Sequence, residues 1–315
     1  MAEITNQEFH PSELESLQHG EAQDFTFLLR VLDYDPSKTV QDHVTLKAVE
    51  PRLQRAVDSD TTTVYTVRRQ PDCPILATGT LSRAEILTGK GARMWVDDVV
   101  TRPDWQGKGM FTQIMNAMEE KAALSADEVY LTSSPERGPA RSRYTKREYD
   151  LFPYGLGVYR NAKLQHDQPD GTKMVTDASS SDIEQMAGLL GEDPVAVRAN
   201  INGIFVSPYS ALFAKKERGV IMGVSVANLC PIPTGYKPWI DDLAAVGKRD
   251  QLDALQASEA WLAAKGAPYA NVVDTTGTGL SDDYSRRSSG LFIKQAAHLK
   301  SVASAMLKTT CRQTP

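Results

Sequence analysis

Trp95-Val96-Asp97-Asp98-Val99 recurs 144 positions later as Trp239-Ile240-Asp241-Asp242-Leu243. This repeat constrains the chain more than any composition figure, because two segments must build the same local structure. Each copy is followed by a helix rich in Ala and Glu (109–124 and 250–266) and then by a strand ending in Thr residues (128–135 and 269–276). A further predicted helix comes next in each half: 138–149, bearing Arg143-Tyr144-Thr145-Lys146, and 288–299, bearing Leu291-Phe292-Ile293-Lys294. Identity together with matching order makes duplication a better explanation than chance. The 315 residues leave room for two domains of ordinary size. The polar stretch 161–171, with Pro169 and Gly171, reads as a linker, so the expected domains are 1–163 and 164–315.

Apolar and β-branched runs at 24–32, 61–70, 74–87, 93–101 and 155–160 predict further strands in the first half. Helical spacing appears at 41–57, interrupted by Pro51. It appears again at 109–124, where Phe111, Ile114, Met115 and Met118 share a face. In the second half the pattern predicts a strand at 172–176 and a helix at 181–190 opened by Ser181. A hairpin follows over 209–229, turning near Glu217–Gly219, and then a strand at 239–246. The class is therefore α/β in the broad sense, with strands and helices in both halves.

A net charge of −5 and a pI near 5.6 give no global reason to expect nucleic acid as a partner. Cys73, Cys230 and Cys311 are widely spaced, which suits a reducing compartment rather than a disulfide framework or a zinc site. The N-terminal stretch is acidic and polar, with neither an apolar signal core nor an Arg-rich targeting pattern. No run approaches the ~18 apolar residues of a membrane span. A cytoplasmic location with no membrane partner is the expectation. His10, His19, His43, His166 and His298 fall outside every motif, and no GxSxG elbow, HExxH helix or Asp-rich metal loop occurs. Neither a metal nor a covalent nucleophile is assigned.

The chemistry points elsewhere. Gln106-Gly107-Lys108-Gly109-Met110-Phe111 lies between a predicted strand and a predicted helix. A helix start presents unpaired N–H groups and the positive end of the dipole, a setting that attracts phosphate. Glycines let the backbone approach an anion, and Lys108 adds charge. The pattern is neither a Walker A loop nor the dinucleotide GxGxxG.

Together, "WVDDVVTRPDWQGKGM" (95–110) and "YLTSSPERGPARSRYTKREYDLFPYGLGVYR" (130–160) resemble the GNAT superfamily of acyl-CoA-dependent N-acyltransferases. Its signature is Q/R-x-x-G-x-G/A after a strand carrying acidic residues. Gln106, Gly107, Lys108, Gly109 and Met110 fit. Phe111 departs from the small residue usual there, which bears on the tightness or pose of cofactor binding. The resemblance spans roughly residues 22–160. It implies two GNAT-like α+β domains, each with a mixed, mostly antiparallel central sheet flanked by helices.

The resemblance also implies roles. The backbone amides of Gln106, Gly107, Lys108, Gly109, Met110, Phe111 and Thr112 would contact the pyrophosphate of acetyl-CoA or another short acyl-CoA. The backbone of Val99, Val100 and Thr101 would run beside the pantetheine arm, with Ser133 and Ser134 at the end of a neighbouring strand. Tyr144 stands where the family carries the proton donor to the departing thiol. Asp97 stands where a carboxylate serves as general base or holds a cationic substrate. On a regular strand Asp97 and Asp98 alternate across the sheet, so only one faces the cleft.

In the second copy only Gly247 remains of the cradle, and Phe292 takes the place of Tyr144. A half kept for architecture is the expectation, with Trp239, Asp241, Asp242, Asp274 and Tyr284 as possible walls of a substrate cleft. The expected activity is acetyl transfer from acetyl-CoA to a primary amine of a small molecule, with a protein amine as another acceptor. The alternatives are a non-catalytic acyl-CoA-binding scaffold, transfer to a carrier thiol, or thioester decarboxylation.

Overall fold

The computed structural model describes residues 9, 11–32, 45–151, 157–161, 164, 167–274, 285–286 and 290–295. The chain forms two compact units that interleave along the sequence. Unit 1 comprises Met1–Ser82, Trp95–Ala122 and Pro231–Tyr236; unit 2 comprises Arg83–Met94, Ala123–Cys230 and Lys237–Pro315.

The first elements in chain order are β1 (Pro11–Glu13), α1 (His19–Leu32), α2 (Leu46–Val57), β2 (Thr62–Val67), β3 (Ala77–Glu85) and β4 (Ala92–Thr101). A 3-10 turn at Pro103–Trp105 leads into α3 (Met110–Ala123). The segment 24–32, expected as a strand, lies within α1. Its buried residues Ala22, Phe25, Leu28 and Leu29 have helical spacing, while Phe27 points to solvent. Phe25, Leu28 and Leu29 form a core with Val49, Leu53 and Ala56 of α2 and with Val64, Ile75 and Val100. Fully burying each of the Phe, Leu, Ile and Val side chains contributes roughly 1.5–3 kcal/mol. Gly79 of β3 matters for α3. A Cβ there would stand 2.6 Å from the Ile114 side chain, so the helix docks where the sheet lacks a side chain.

Next come β5 (Glu128–Ser133), α4 (Gly138–Lys146), β6 (Asp150–Leu151), β7 (Gly157–Asn161), β8 (Thr172–Val175), α5 (Ser180–Leu190) and α6 (Pro194–Val206). The chain continues through β9 (Ser210–Glu217), β10 (Val220–Ile232), β11 (Gly235–Ala245), α7 (Lys248–Ala264), β12 (Ala270–Asp274), β13 (Ser285–Arg286) and β14 (Gly290–Gln295). The cap of α5 is Ser179 rather than Ser181; it forms a reciprocal capping box with Asp182. The helix α6 escaped the sequence pattern because Val195, Val197, Ile201, Ile204 and Val206 favour strands. Its start signal, Asp193 bonding the Val195 N–H at 2.8 Å ahead of Pro194, was legible. The β9–β10 hairpin turns where expected, through left-handed Arg218 and Gly219.

The strands form two seven-stranded sheets, ordered β1-β2-β3-β4-β5-β14-β6 and β13-β7-β12-β11-β10-β9-β8. Both mix parallel or crossover neighbours with antiparallel ones, an α+β architecture. The segment expected as a helix at 288–299 is strand over 290–295. It runs antiparallel to β5, with Lys294 opposite Val129, and also to β6. Conversely β7 pairs with β12 and β13. Each sequence half therefore lends one strand to the other half's sheet. A short apolar run does not itself distinguish helix from strand, and an open place between two strands decided this one.

The repeat survives at backbone level. Asp98 and Asp242 both adopt left-handed φ, 51° and 48°, so the same backbone irregularity sits at the same point within each strand. Trp95 and Trp239 are both fully buried.

Candidate active site

In unit 1 the path from β4 to α3 gathers most of the expected cofactor-binding residues. Left-handed Asp98 breaks the alternation anticipated for Asp97 and Asp98, and both aspartates are half-buried. Asp98 accepts hydrogen bonds from Thr234: the N–H at 3.3 Å and the hydroxyl at 3.1 Å. Beyond it Val100 is buried, and Val99 and Thr101 are half-buried. Arg102 anchors the strand exit. Its guanidinium donates to the Ile75 carbonyl at 2.7 Å and pairs with Asp24 at 2.6 Å, while Asp24 also accepts the Ile75 N–H at 2.8 Å. The turn that follows is therefore tied to α1.

The turn ends at Trp105, whose ring carries Arg69 at 4.5 Å and Lys108 at 4.2 Å, with Phe9 edge-on at 5.6 Å. Gln106, Gly107, Lys108 and Gly109 are exposed. Gly107 and Gly109 adopt φ of 79° and 87°, and a Cβ on either would meet nothing within 4 Å. Backbone conformation, not space, demands glycine there. Left-handed glycines before a helix start are the backbone conformation of an anion nest; within this one the Gln106 and Lys108 N–H groups donate to the Pro103 and Trp105 carbonyls at 3.3 and 3.4 Å. The first turn of α3 contains no acidic residue that could fill it. Met110 is buried in the core side of α3, Phe111 is half-buried, and Thr112 is exposed. These features fit a phosphate ligand.

Tyr144, Ser133 and Ser134 belong to unit 2. Ser133 ends β5, and its buried hydroxyl has no hydrogen-bond partner among the described residues; Ser134 is half-buried. Tyr144 is buried in the last turn of α4, edge-on to Tyr149. Phe292, expected as its counterpart, lies on strand β14. The pairing of Tyr144 with Phe292 is corrected: the two residues stand on elements of different type.

The second copy of the acidic motif is also in unit 2, and its carboxylates are committed. Asp242 accepts the Leu87 N–H and, at 2.9 Å, the Thr88 hydroxyl. Asp241 is fully buried, paired with Arg93 and bonded by the Asn228 amide at 3.1 Å. Its partner holds the Arg93 guanidinium charged despite burial. Of the other expected cleft residues, Tyr284 and the side chain of Asp274 lie outside the described set.

A cleft of about 870 Å³ elsewhere in unit 1 is lined by residues including Glu13, Glu21, Asp24, Arg68 and Cys73, and by none of the cradle residues. Its charged walls satisfy one another, as in the 2.6 Å Arg68–Glu21 pair. Among the described residues no three His, Cys, Asp or Glu side chains gather as a metal site, and no helix is long and apolar enough to cross a membrane.

No family model and no curated protein matches the chain by sequence. Solved structures do match. A glucosamine N-acetyltransferase region related to GCN5, within a fungal multidomain GH3 β-N-acetylglucosaminidase, superposes with a TM-score of 0.51 at 12% identity, covering 92% of this chain and 38% of that one. The fold is that of the GNAT acetyltransferases. Two further GNAT structures align at lower scores. One is from Sphaerobacter thermophilus (TM-score 0.47, 14% identity, 93% of this chain and 97% of that one). The other is a tandem GNAT protein from the clavulanic acid biosynthesis pathway (TM-score 0.48, 11% identity, 92% and 99%).

Proposed function

We propose that the protein is an acyl-CoA-dependent N-acyltransferase that moves an acetyl group to a primary amine of a small molecule. The observation that carries this reading is the α3 entrance, where left-handed Gly107 and Gly109 precede a first turn free of carboxylates. In this reading the amides of residues 106–112 hold the pyrophosphate, those of Gln106 and Lys108 exchanging the Pro103 and Trp105 carbonyls for it, and the backbone of Val99, Val100 and Thr101, with Ser134, lies along the pantetheine arm. Acyl-CoA supplies the acyl group as a thioester. Asp97 takes a proton from the acceptor amine as its nitrogen bonds to the carbonyl carbon. Tyr144 gives its phenolic proton to the sulfur as the carbon–sulfur bond breaks, and regains one from solvent. Such proton transfers contribute typically 10²–10⁴-fold in rate. The fungal neighbour is described as a glucosamine N-acetyltransferase, which makes amino sugars the first amines to test.

Calorimetry with acetyl-CoA is the primary test, and absence of binding sinks the reading. Thiol release across an amine panel then separates an enzyme from a non-catalytic acyl-CoA binder, the reading that Phe111 in the cradle favours. Tyr144→Phe and Asp97→Asn are each expected to lower kcat by about a hundredfold while acetyl-CoA affinity stays within about twofold of wild type.

A further inference from the structure

We propose that Lys294, carried on β14, is a positioning residue for Tyr144 and acts through the ring of Tyr149; this rests on Tyr144 being the proton donor of the reaction above. The ring of Tyr144 meets that of Tyr149 edge-on, with centroids 6.0 Å apart and planes at 64°. The chain between them reverses tightly. Glu148 takes φ 64°, and the Tyr149 N–H donates to the Tyr144 carbonyl at 3.1 Å. The Lys294 ammonium stands 5.7 Å over the Tyr149 ring. Lys294 is 2% exposed and Tyr149 1%, so the cation and the ring meet out of contact with water.

Burying an ammonium is costly, so its position is tightly specified by what surrounds it. A desolvated cation over an aromatic face is attracted by the ring quadrupole, which fixes the ring it covers. A fixed Tyr149 in turn limits the arc through which the Tyr144 phenol swings, and orientation is a large part of a proton donor's effect. Lys294 reaches this place because β14 fills the position between β5 and β6. A strand encoded in the second half thereby completes the surroundings of the first half's tyrosine.

The test compares Lys294→Met in the wild-type chain and in a Tyr144→Phe background, measuring amine-dependent thiol release. K294M is expected to lower kcat about tenfold with KM for acetyl-CoA within about twofold, and K294R to restore most of the rate. In the Y144F background K294M is expected to cause no further loss, because the group it acts through is gone. An equal loss in both backgrounds, or an unchanged kcat in folded K294M, overturns the inference. Should K294M fail to fold, Tyr149→Leu, which removes the linking ring, is read by the same criteria. Absence of amine-dependent release from the wild-type chain overturns the proposed function and this inference together. Normal wild-type turnover with additive losses overturns the inference alone.

Discussion

The two helices that follow the repeated acidic motif begin in opposite ways. At α3 the entrance is built from exposed, left-handed Gly107 and Gly109, and no carboxylate lies in the first turn. At α7 the corresponding Gly247 is extended, with φ −136°, and Asp250 sits in the first turn. One Asp250 oxygen would lie 3.2 Å from a Cβ placed on Gly247, and the other accepts the Lys215 ammonium at 2.8 Å. The positive end of α7 therefore meets a carboxylate of its own chain, whereas the first turn of α3 carries none. The same contrast runs through the acidic motif itself. Asp241 is enclosed with Arg93, while Asp97 remains half-buried. The two copies thus differ in what fills each polar terminus.

The largest expected effect comes from the framework side. Arg93→Met leaves Asp241 buried without its cation and should cost roughly 3–5 kcal/mol of unfolding free energy in denaturant titrations. A loss below about 1 kcal/mol would remove the structural role assigned to the second motif. Next in size is Thr112→Asp, which gives α3 a carboxylate at its third residue, the position Asp250 holds in α7. Acetyl-CoA affinity should fall about a hundredfold by calorimetry, while the helix itself gains a few tenths of a kcal/mol from its dipole. Unchanged affinity would break the comparison outright. The smallest effect is expected for Asp250→Asn. The Lys215 amine is held above the usual lysine range by Asp250 first and Asp253 second. A raised folded pKa gives stability that is complete below about pH 10.4 and is lost as pH rises through the folded value. The variant's Tm should therefore decline at lower alkaline pH than wild type's. No acetyl-CoA binding should appear at α7, since Gly247 stays extended.

Much of this was legible in the sequence. The repeat, the strand–cradle–helix order and the β9–β10 turn follow from local chemistry, because glycine spacing and hydrophobic period act within a dozen residues. The state of Asp98 was not legible, because an aspartate tolerates a left-handed backbone without advertising it. The same holds for the contrast at Gly247, where one glycine letter stands for an extended residue and in the cradle for a left-handed one. Long-range pairing hid the rest. Nothing near Leu291 says that β5 and β6 leave a place for it, and so the local pattern gives a helix where Lys294 stands on a strand.

The exchange of β7 and β14 also bears on how the chain is made. When β7 leaves the ribosome its partner β12 has not been synthesised, and β5 waits still longer for β14. At translation speeds of about 5–20 residues per second, the intervening stretch keeps open strand edges exposed for on the order of ten seconds. Neither sheet closes on the first half alone, so both wait for the strands at 270–274 and 290–295. Late closure of both sheets, through pairings of high sequence separation, is the folding behaviour this topology favours.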